Sequence, residues 1–130
     1  IMPWSPLAGG FMSGKYARNK EVAGNSRRDN FDFPPINKDK AYDIIDVMAD
    51  IAKKHRVSVA VVALNWVVRQ KGVTSTIIGA KTIDQLKENL TSVELKLSDT
   101  EMRKLDDISK LSPEYPGWMI QRQLQSRFPE

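Results

Sequence analysis

Apolar positions along much of the chain recur at intervals of three and four residues, the spacing of one face of an α-helix. The first such stretch predicts an amphipathic helix that begins around Asn37 and ends near His55. Residues 59–71 are apolar nearly all round, which is typical of a helix buried between other elements. Ser58 is placed to cap that helix at its start, and Gly72 follows its predicted end as a C-terminal cap.

Two further helices are predicted by a capping-box pattern, in which a Ser or Thr is followed three residues later by Glu or Gln. Thr82 and Gln85 form the first pair, and Ser98 and Glu101 form the second. The apolar positions that follow are Leu86, Leu90 and Val93 in the third helix and Met102, Leu105 and Ile108 in the fourth.

Strand patterns alternate with these helices. Residues 1–4 read as the end of a buried strand, and the β-branched run at residues 75–79 is typical of an interior parallel strand. Strand alternating with helix predicts an α/β fold with a parallel sheet. Because two strands cannot make such a sheet, we expect further strands from outside this chain or from another copy of it.

The connecting segments differ in composition. Residues 5–14 are rich in Gly and Pro and poor in polar side chains, which predicts a loop that passes close to a ligand or another part of the protein. Residues 15–40 are polar and predict a surface loop, and residues 112–130 form a tail without a clear period.

Composition excludes several classes of function. The 130 residues contain 20 Lys and Arg and 16 Asp and Glu, a formal charge of +4, with the two signs interleaved. That pattern does not favour a nucleic-acid partner, which would bind a basic stripe. The absence of Cys and the presence of one His exclude thiolate chemistry and a histidine metal cluster. The longest uncharged apolar stretch, residues 57–68, is too short for a membrane span of roughly 20 residues.

Two phosphate-binding features follow the two predicted strands. Gly9, Gly14 and Lys15 have the spacing of a P-loop, but Tyr16 occupies the position that must be Ser or Thr, so we exclude that motif. The better signal pairs this loop with the turn at residues 79–82, which opens a helix. Helix N-termini bind phosphates, and ligands of parallel α/β folds collect where strands end. One extended phosphorylated cofactor could contact both features.

Residues 3–10, 13–16 and 78–81, with Gln85, Glu88 and Asn89, resemble the seventh and eighth strand-loop units of the aldo-keto reductase superfamily. The resemblance is closest to bacterial members related to the potassium-channel β-subunit branch. It implies the C-terminal part of a (β/α)8 TIM barrel: the last two strand-helix units, the C-terminal helix, and residues 112–130 as a C-terminal tail or substrate loop. It also implies NADPH-dependent reduction of aldehydes or ketones to alcohols.

The resemblance assigns a role to each matched position. Trp4 would stack on the nicotinamide, Lys15 would support the pyrophosphate, and Arg27 would make a further phosphate contact. Lys81 would contact the adenosine 2′-phosphate one turn before Gln85, beside Gly79, and Glu88 and Asn89 would reach the adenine. The loop that wraps the pyrophosphate would comprise Ser5, Pro6, Leu7, Ala8 and Gly10.

The family's catalytic Tyr, Lys, His and Asp have no matching positions here. Since a (β/α)8 barrel takes about 250 residues, we expect the chain to be the C-terminal portion of a cytoplasmic reductase of small carbonyl compounds. It would need the N-terminal half of the barrel, could form a homo-oligomer and would be inactive alone. Two alternatives stay open: a non-enzymatic nicotinamide-binding regulatory subunit similar to the channel β-subunits, and a helical interaction domain without a cofactor.

Overall fold

The computed structural model describes residues 1–18 and 34–111, together with residues 116, 117, 119, 120 and 123. Within these ranges no helix is long and apolar enough to cross a membrane. The helices that carry the fold are α1 (Lys38–His55), α2 (Val59–Val68), α3 (Ile83–Leu90) and α4 (Asp99–Ser109). A short 3₁₀ segment, Thr91–Val93, follows α3, and the 3₁₀-type turns at Ala8–Ser13, before α1, are interrupted by non-helical backbone at Gly9 and Gly10.

Side-chain caps begin all four helices where the sequence predicts them. Asn37 accepts a hydrogen bond from the Lys40 amide at 3.1 Å, and Ser58 accepts one from the Val61 amide at 3.3 Å. The predicted box at α4 is complete, because Ser98 and Glu101 each bond to the other's backbone amide. Such caps satisfy N–H groups that the first helical turn leaves without partners.

Helix α2 ends earlier than predicted. Its last residue is Val68 and Arg69 is its C-cap, whereas the pattern predicted a helix as far as residue 71. Gly72 is therefore not the cap. It has φ +87° and lies in the turn that follows, where the Val73 amide donates to the Gln70 carbonyl at 3.1 Å. That turn replaces the last predicted helical turn.

The core lies where α1, α2 and α4 pack together, with Phe11 inserted from the loop before α1. It confirms the apolar faces predicted for α1 and α2 and the buried position of Leu105 in α4. The buried core residues are Phe11, Ala41, Ile45, Met48, Ile51, Ala52, Val62, Ala63, Leu97 and Leu105.

The two predicted strands meet as a parallel bridge between Trp4 and Ile77, and the described residues contain no continuous strand. The Thr74 amide donates to the Ile1 carbonyl and the Ile77 amide to the Pro3 carbonyl, both at 2.9 Å. Pro3 has no N–H to continue the ladder. Residues 75–79 are therefore not an interior strand here, and Ile77 is 54% exposed.

Helix α3 forms at the predicted place, but its apolar face is not packed. It contacts α2, while four large side chains on and just after it remain exposed. They are Ile83, Leu86, Leu90 and Val93. The helix predicted here is therefore confirmed, while its apolar side chains are exposed in the described part of the chain.

Candidate functional site

A cleft of about 700 Å³ separates the loop after Trp4 from the turn that opens α3. Nearly all of the residues predicted to bind a cofactor line it. They are Trp4, Ser5, Pro6, Leu7, Gly10, Lys15, Gly79, Lys81, Gln85, Glu88 and Asn89. Ala8 lies in the same loop without lining the cleft, and Arg27 falls outside the described residues. Trp4 and Gly79, which are 75 positions apart in sequence, thus line the same cleft.

The first wall is a tightly turned loop. Ser5 and Ala8 adopt φ values of +53° and +48°, and Gly9 and Gly10 adopt +66° and +92°. The Ser5 carbonyl accepts a hydrogen bond from the Ala8 amide at 2.9 Å, and the Ser5 hydroxyl accepts one from the Gly9 amide at 3.2 Å. Positive φ is uncommon for residues other than Gly and clusters at ligand sites. The hydrogen bonds therefore hold the loop in one defined conformation, which carries backbone strain.

The second wall is the N-terminal turn of α3. Thr82 accepts a hydrogen bond from the Gln85 amide at 3.2 Å, which is half of the predicted capping box. The Gln85 side chain does not return to Thr82 but accepts from the Lys81 amide at 2.9 Å. It therefore ties down the backbone of Lys81, whose side chain is exposed, while Asn89 is buried one turn further along.

The parallel bridge holds the two walls together. Because Trp4 pairs with Ile77, the loop after Trp4 and the turn after Ile78 leave the bridge on the same side. Parallel strands place the loops at their carboxyl ends together in this way. The bridge, although short, is the feature that brings the two predicted phosphate-binding segments to one cleft.

Sequence reasoning missed a third element of the cleft, the N-terminus of α2. Ser58, recognised only as a helix cap, and Ala60 line the cleft together with Ser13 and Tyr16. The remaining residues that were missed are Gly9, Ile77, Ile78 and Ala80. The missed residues in the loop after Trp4 and in the segment around Gly79 lie next to predicted residues in sequence. Helix α2 reaches the cleft only through tertiary packing, which no local sequence pattern indicates.

The cleft combines enough space for a small-molecule ligand with open backbone and positive charge. Its volume lies within the range of about 300–1,000 Å³ that is usual for ligand sites. No atom lies within 4 Å of where a Cβ would stand on Gly10 or Gly79, so the backbone is open to close approach on both walls. Lys15 on one wall and Lys81 on the other place two positive charges at the cleft.

Comparison with known proteins identifies the family to which the chain is similar. The model of the aldo/keto reductase family matches residues 1–110. Protein tas of Escherichia coli K12 is 31% identical over 111 residues, covering 85% of this chain and 32% of tas. The uncharacterized oxidoreductase YrpG of Bacillus subtilis 168 is 32% identical over 108 residues, covering 83% of this chain and 31% of YrpG.

A third relative is less similar in sequence. The NADH-specific methylglyoxal reductase of E. coli K12 is 24% identical over 110 residues, covering 85% of this chain and 33% of that enzyme. The chain thus spans about a third of the length of the curated relatives it matches.

Proposed function

The chain belongs to the aldo/keto reductase family, and from that membership we propose that it supplies the NADP(H)-binding loops of a reductase that converts aldehydes or ketones to alcohols. The observation that carries the proposal is the shared cleft. Residues matched to the cofactor contacts of the family lie on two segments far apart in sequence, and both segments line the same 700 Å³ space.

When bound, the nicotinamide supplies the hydride for carbonyl reduction, and the residues of this chain would hold and orient the cofactor. Trp4 lines the cleft and is 63% exposed, and its indole would stack on the planar nicotinamide ring. The tight loop around Ser5 and Gly10 offers open backbone for the pyrophosphate, with the Lys15 ammonium beside it. Aromatic, backbone and cationic groups thus follow one another along the cleft.

The adenosine end would lie against α3. Lys81 directly precedes the Thr82 cap, where the partial positive charge of the helix N-terminus adds to the ammonium charge. A 2′-phosphate, present in NADPH and absent from NADH, is the group such a pair would select. One relative is named as NADH-specific, so a preference of this chain for NADPH needs its own test.

We further propose that additional strands complete a (β/α)8 barrel around this chain and carry the residues that donate the proton to the carbonyl oxygen. Large apolar side chains remain exposed along the bridge and α3, a pattern that marks an interaction surface. They are Ile1, Met2, Trp4, Ile77, Ile83, Leu86, Leu90 and Val93. The relatives, about three times longer than this chain, have the length that those strands would need.

Titration of the protein with NADPH, followed by indole fluorescence, tests the cofactor proposal. We expect saturable quenching that is strongly reduced in Trp4→Phe, because an indole stacked on nicotinamide is quenched directly. Trp66, whose indole donates to Asp106 at 2.8 Å away from the cleft, provides the matched control: Trp66→Phe should retain the quenching. The absence of saturable NADPH binding by the wild-type protein would refute the proposal.

Turnover is tested by adding the polypeptide that supplies the upstream strands of a related reductase and measuring NADPH oxidation with an aldehyde. We expect oxidation in the mixture and none with the 130-residue chain alone. NADPH binding without aldehyde turnover in the assembled barrel would instead favour a nicotinamide-binding regulatory protein.

A further inference from the structure

We propose that Arg18 is a positioning residue for Lys15: it tethers the segment that follows Lys15 to helix α1 and so sets where the Lys15 ammonium stands at the cleft. The inference deepens the proposed function and rests on it, because the role of Lys15 is to meet a cofactor phosphate. Arg18 itself does not line the cleft.

The Arg18 guanidinium is held by several groups of one helix. It forms an ion pair with Asp43, and its Nε lies 3.7 Å from an Asp46 carboxylate oxygen. It also donates to the Asp39 carbonyl at 3.4 Å and lies over the Tyr42 ring, 5.7 Å from the ring centroid. Guanidinium groups can engage carboxylates and an aromatic face at once, which an ammonium cannot do in the same geometry.

The residues on either side of Lys15 are packed against the protein. Tyr16 stacks on the buried ring of Phe11, with centroids 4.6 Å apart and planes inclined by 17°. On the other side, a Cβ on Gly14 would lie 2.9 Å from the Val59 Cβ, so the Gly14 backbone is pressed against the start of α2. Lys15, between these two contacts, remains exposed and lines the cleft.

Arg18 and the aromatic stack share one partner, Tyr42. The Phe11 ring that supports Tyr16 also lies 5.5 Å from the Tyr42 ring, and the Arg18 guanidinium covers that same ring. The segment from Phe11 to Arg18 is therefore attached to α1 at both of its ends. Such a tether limits the positions that Lys15 can occupy, and a preorganised cation binds a phosphate with a smaller loss of entropy.

A double-mutant cycle on NADPH affinity tests the coupling. Lys15→Ala should weaken NADPH binding about tenfold and Arg18→Gln about threefold to tenfold. If Arg18 acts through Lys15, adding Arg18→Gln to Lys15→Ala should change the affinity less than twofold, whereas its effect should add in full to that of Lys81→Ala. Full additivity with Lys15→Ala would overturn the inference while leaving the proposed function intact.

Two controls separate positioning from a general loss of structure. Arg103→Gln removes an exposed arginine from α4 without altering the tether and should leave NADPH affinity unchanged. The charge-reversed pair Arg18→Asp with Asp43→Arg should recover part of the affinity that Arg18→Asp loses. If the reversed pair binds no better than Arg18→Asp alone, the Asp43 contact does not hold the segment and the tether is refuted.

A measurement made without cofactor tests the tether independently of NADPH binding. The backbone amide order parameters of residues 14–16, measured by NMR relaxation, should fall in Arg18→Gln and remain unchanged in Arg103→Gln. Unchanged order in Arg18→Gln would overturn the tether directly. If the wild-type protein binds no NADPH but the order parameters fall, the tether stands and the proposed function fails, so the two failures are distinguishable.

Discussion

The Glu101 carboxylate accepts a hydrogen bond from the Lys54 ammonium at 2.7 Å, joining the C-terminal end of α1 to the first turn of α4. The same oxygen lies 3.0 Å from His55 Nε2, and the second oxygen accepts from the Ser98 amide at 2.8 Å and the Ser98 hydroxyl at 2.9 Å. Burial of Glu101 acts to raise its pKa, but the bonds from Lys54, Ser98 and His55 outweigh burial and lower the pKa to about 2.

The lowered pKa of Glu101 predicts a specific loss of stability in acid. Because the folded-state pKa lies below the ordinary value of 4.5, the contribution of this carboxylate is fully present above that value. It is lost as the pH falls from about 4.5 to about 2. We expect Glu101→Gln to lower the free energy of unfolding at pH 7 by about 2 kcal/mol. Converting the whole shift from 4.5 to about 2, at about 1.36 kcal/mol for each pKa unit, would give a larger loss. We expect less because the Lys54 side chain is 68% exposed, so solvent weakens its ion pair with Glu101.

Urea unfolding between pH 7 and pH 2 checks this prediction. The wild type and Glu101→Gln should differ most at neutral pH and converge near pH 2, whereas the exposed Glu94→Gln should follow the wild type throughout. A difference between the wild type and Glu101→Gln that stays constant across this range would contradict it.

Asn65 supports a second prediction about stability. Its side chain is 1% exposed, and its amide nitrogen donates to the carbonyls of Ser92 at 2.7 Å and Leu95 at 2.9 Å, tying α2 to the chain after α3. Asn65→Leu removes both bonds and leaves two carbonyls without that donor. We expect a loss of about 2–3 kcal/mol in the free energy of unfolding, measured by chemical denaturation.

Gln70→Leu is the matched control for Asn65. The Gln70 amide also donates to a backbone carbonyl, that of Trp66 at 3.2 Å, but its side chain is only partly buried. Its loss should cost less than about 0.5 kcal/mol. Equal effects of the two substitutions would show that burial of the Asn65 bonds contributes nothing.

The starts of the helices could be predicted from sequence because caps are local. The side chain of Asn37, Ser58 or Ser98 meets an amide only three residues away, so a short window contains the whole interaction. The exposure of Ile77 could not be predicted from a short window of sequence. β-Branched composition indicates what suits a strand, but burial of Ile77 depends on neighbouring strands, and the described residues supply only the bridge to Trp4.

The candidate site was likewise predictable from sequence only where local motifs occur. The loop after Trp4 and the turn at Lys81 carry recognisable motifs, so sequence reasoning identified both and expected them to share one rim. The cleft-lining position of Ser58 depends on how Gly14 packs against Val59, a contact between residues 45 positions apart. No periodicity or motif encodes such a contact.

The contact of Gly14 with Val59 and the open space around Gly79 predict different outcomes for substitution of these two glycines. Gly14 has φ +82°, and a Cβ there would lie 2.9 Å from the Val59 Cβ, so Gly14→Ala combines backbone strain with overpacking. We expect it to lower the free energy of unfolding by about 2–4 kcal/mol. Gly79→Ala introduces a Cβ with no atom within 4 Å and should change stability by less than about 0.5 kcal/mol.

For NADPH affinity, by contrast, we expect a large effect of Gly79→Ala, the substitution that leaves stability unchanged. The Cβ of Gly79→Ala would enter the cleft where we propose that the cofactor approaches the backbone, so affinity should fall at least tenfold in a protein of unchanged stability. Chemical denaturation and fluorescence titration of the same samples test both halves. Unchanged affinity in Gly79→Ala would place the cofactor away from this turn.

We predict that Lys81 gives the site a preference for NADPH over NADH. Its backbone amide is held by Gln85 at 2.9 Å while its side chain is exposed at the cleft, so Lys81→Ala removes a charge without disturbing packing. NADPH affinity should fall about tenfold or more, since a charge-assisted bond to the 2′-phosphate is lost, and NADH affinity should change less than twofold. Lys87→Ala, an exposed lysine in the last turn of α3 that does not line the cleft, should affect neither cofactor. Equal loss of both cofactors in Lys81→Ala would show that Lys81 contacts a phosphate common to the two, and that the 2′-phosphate is recognised elsewhere.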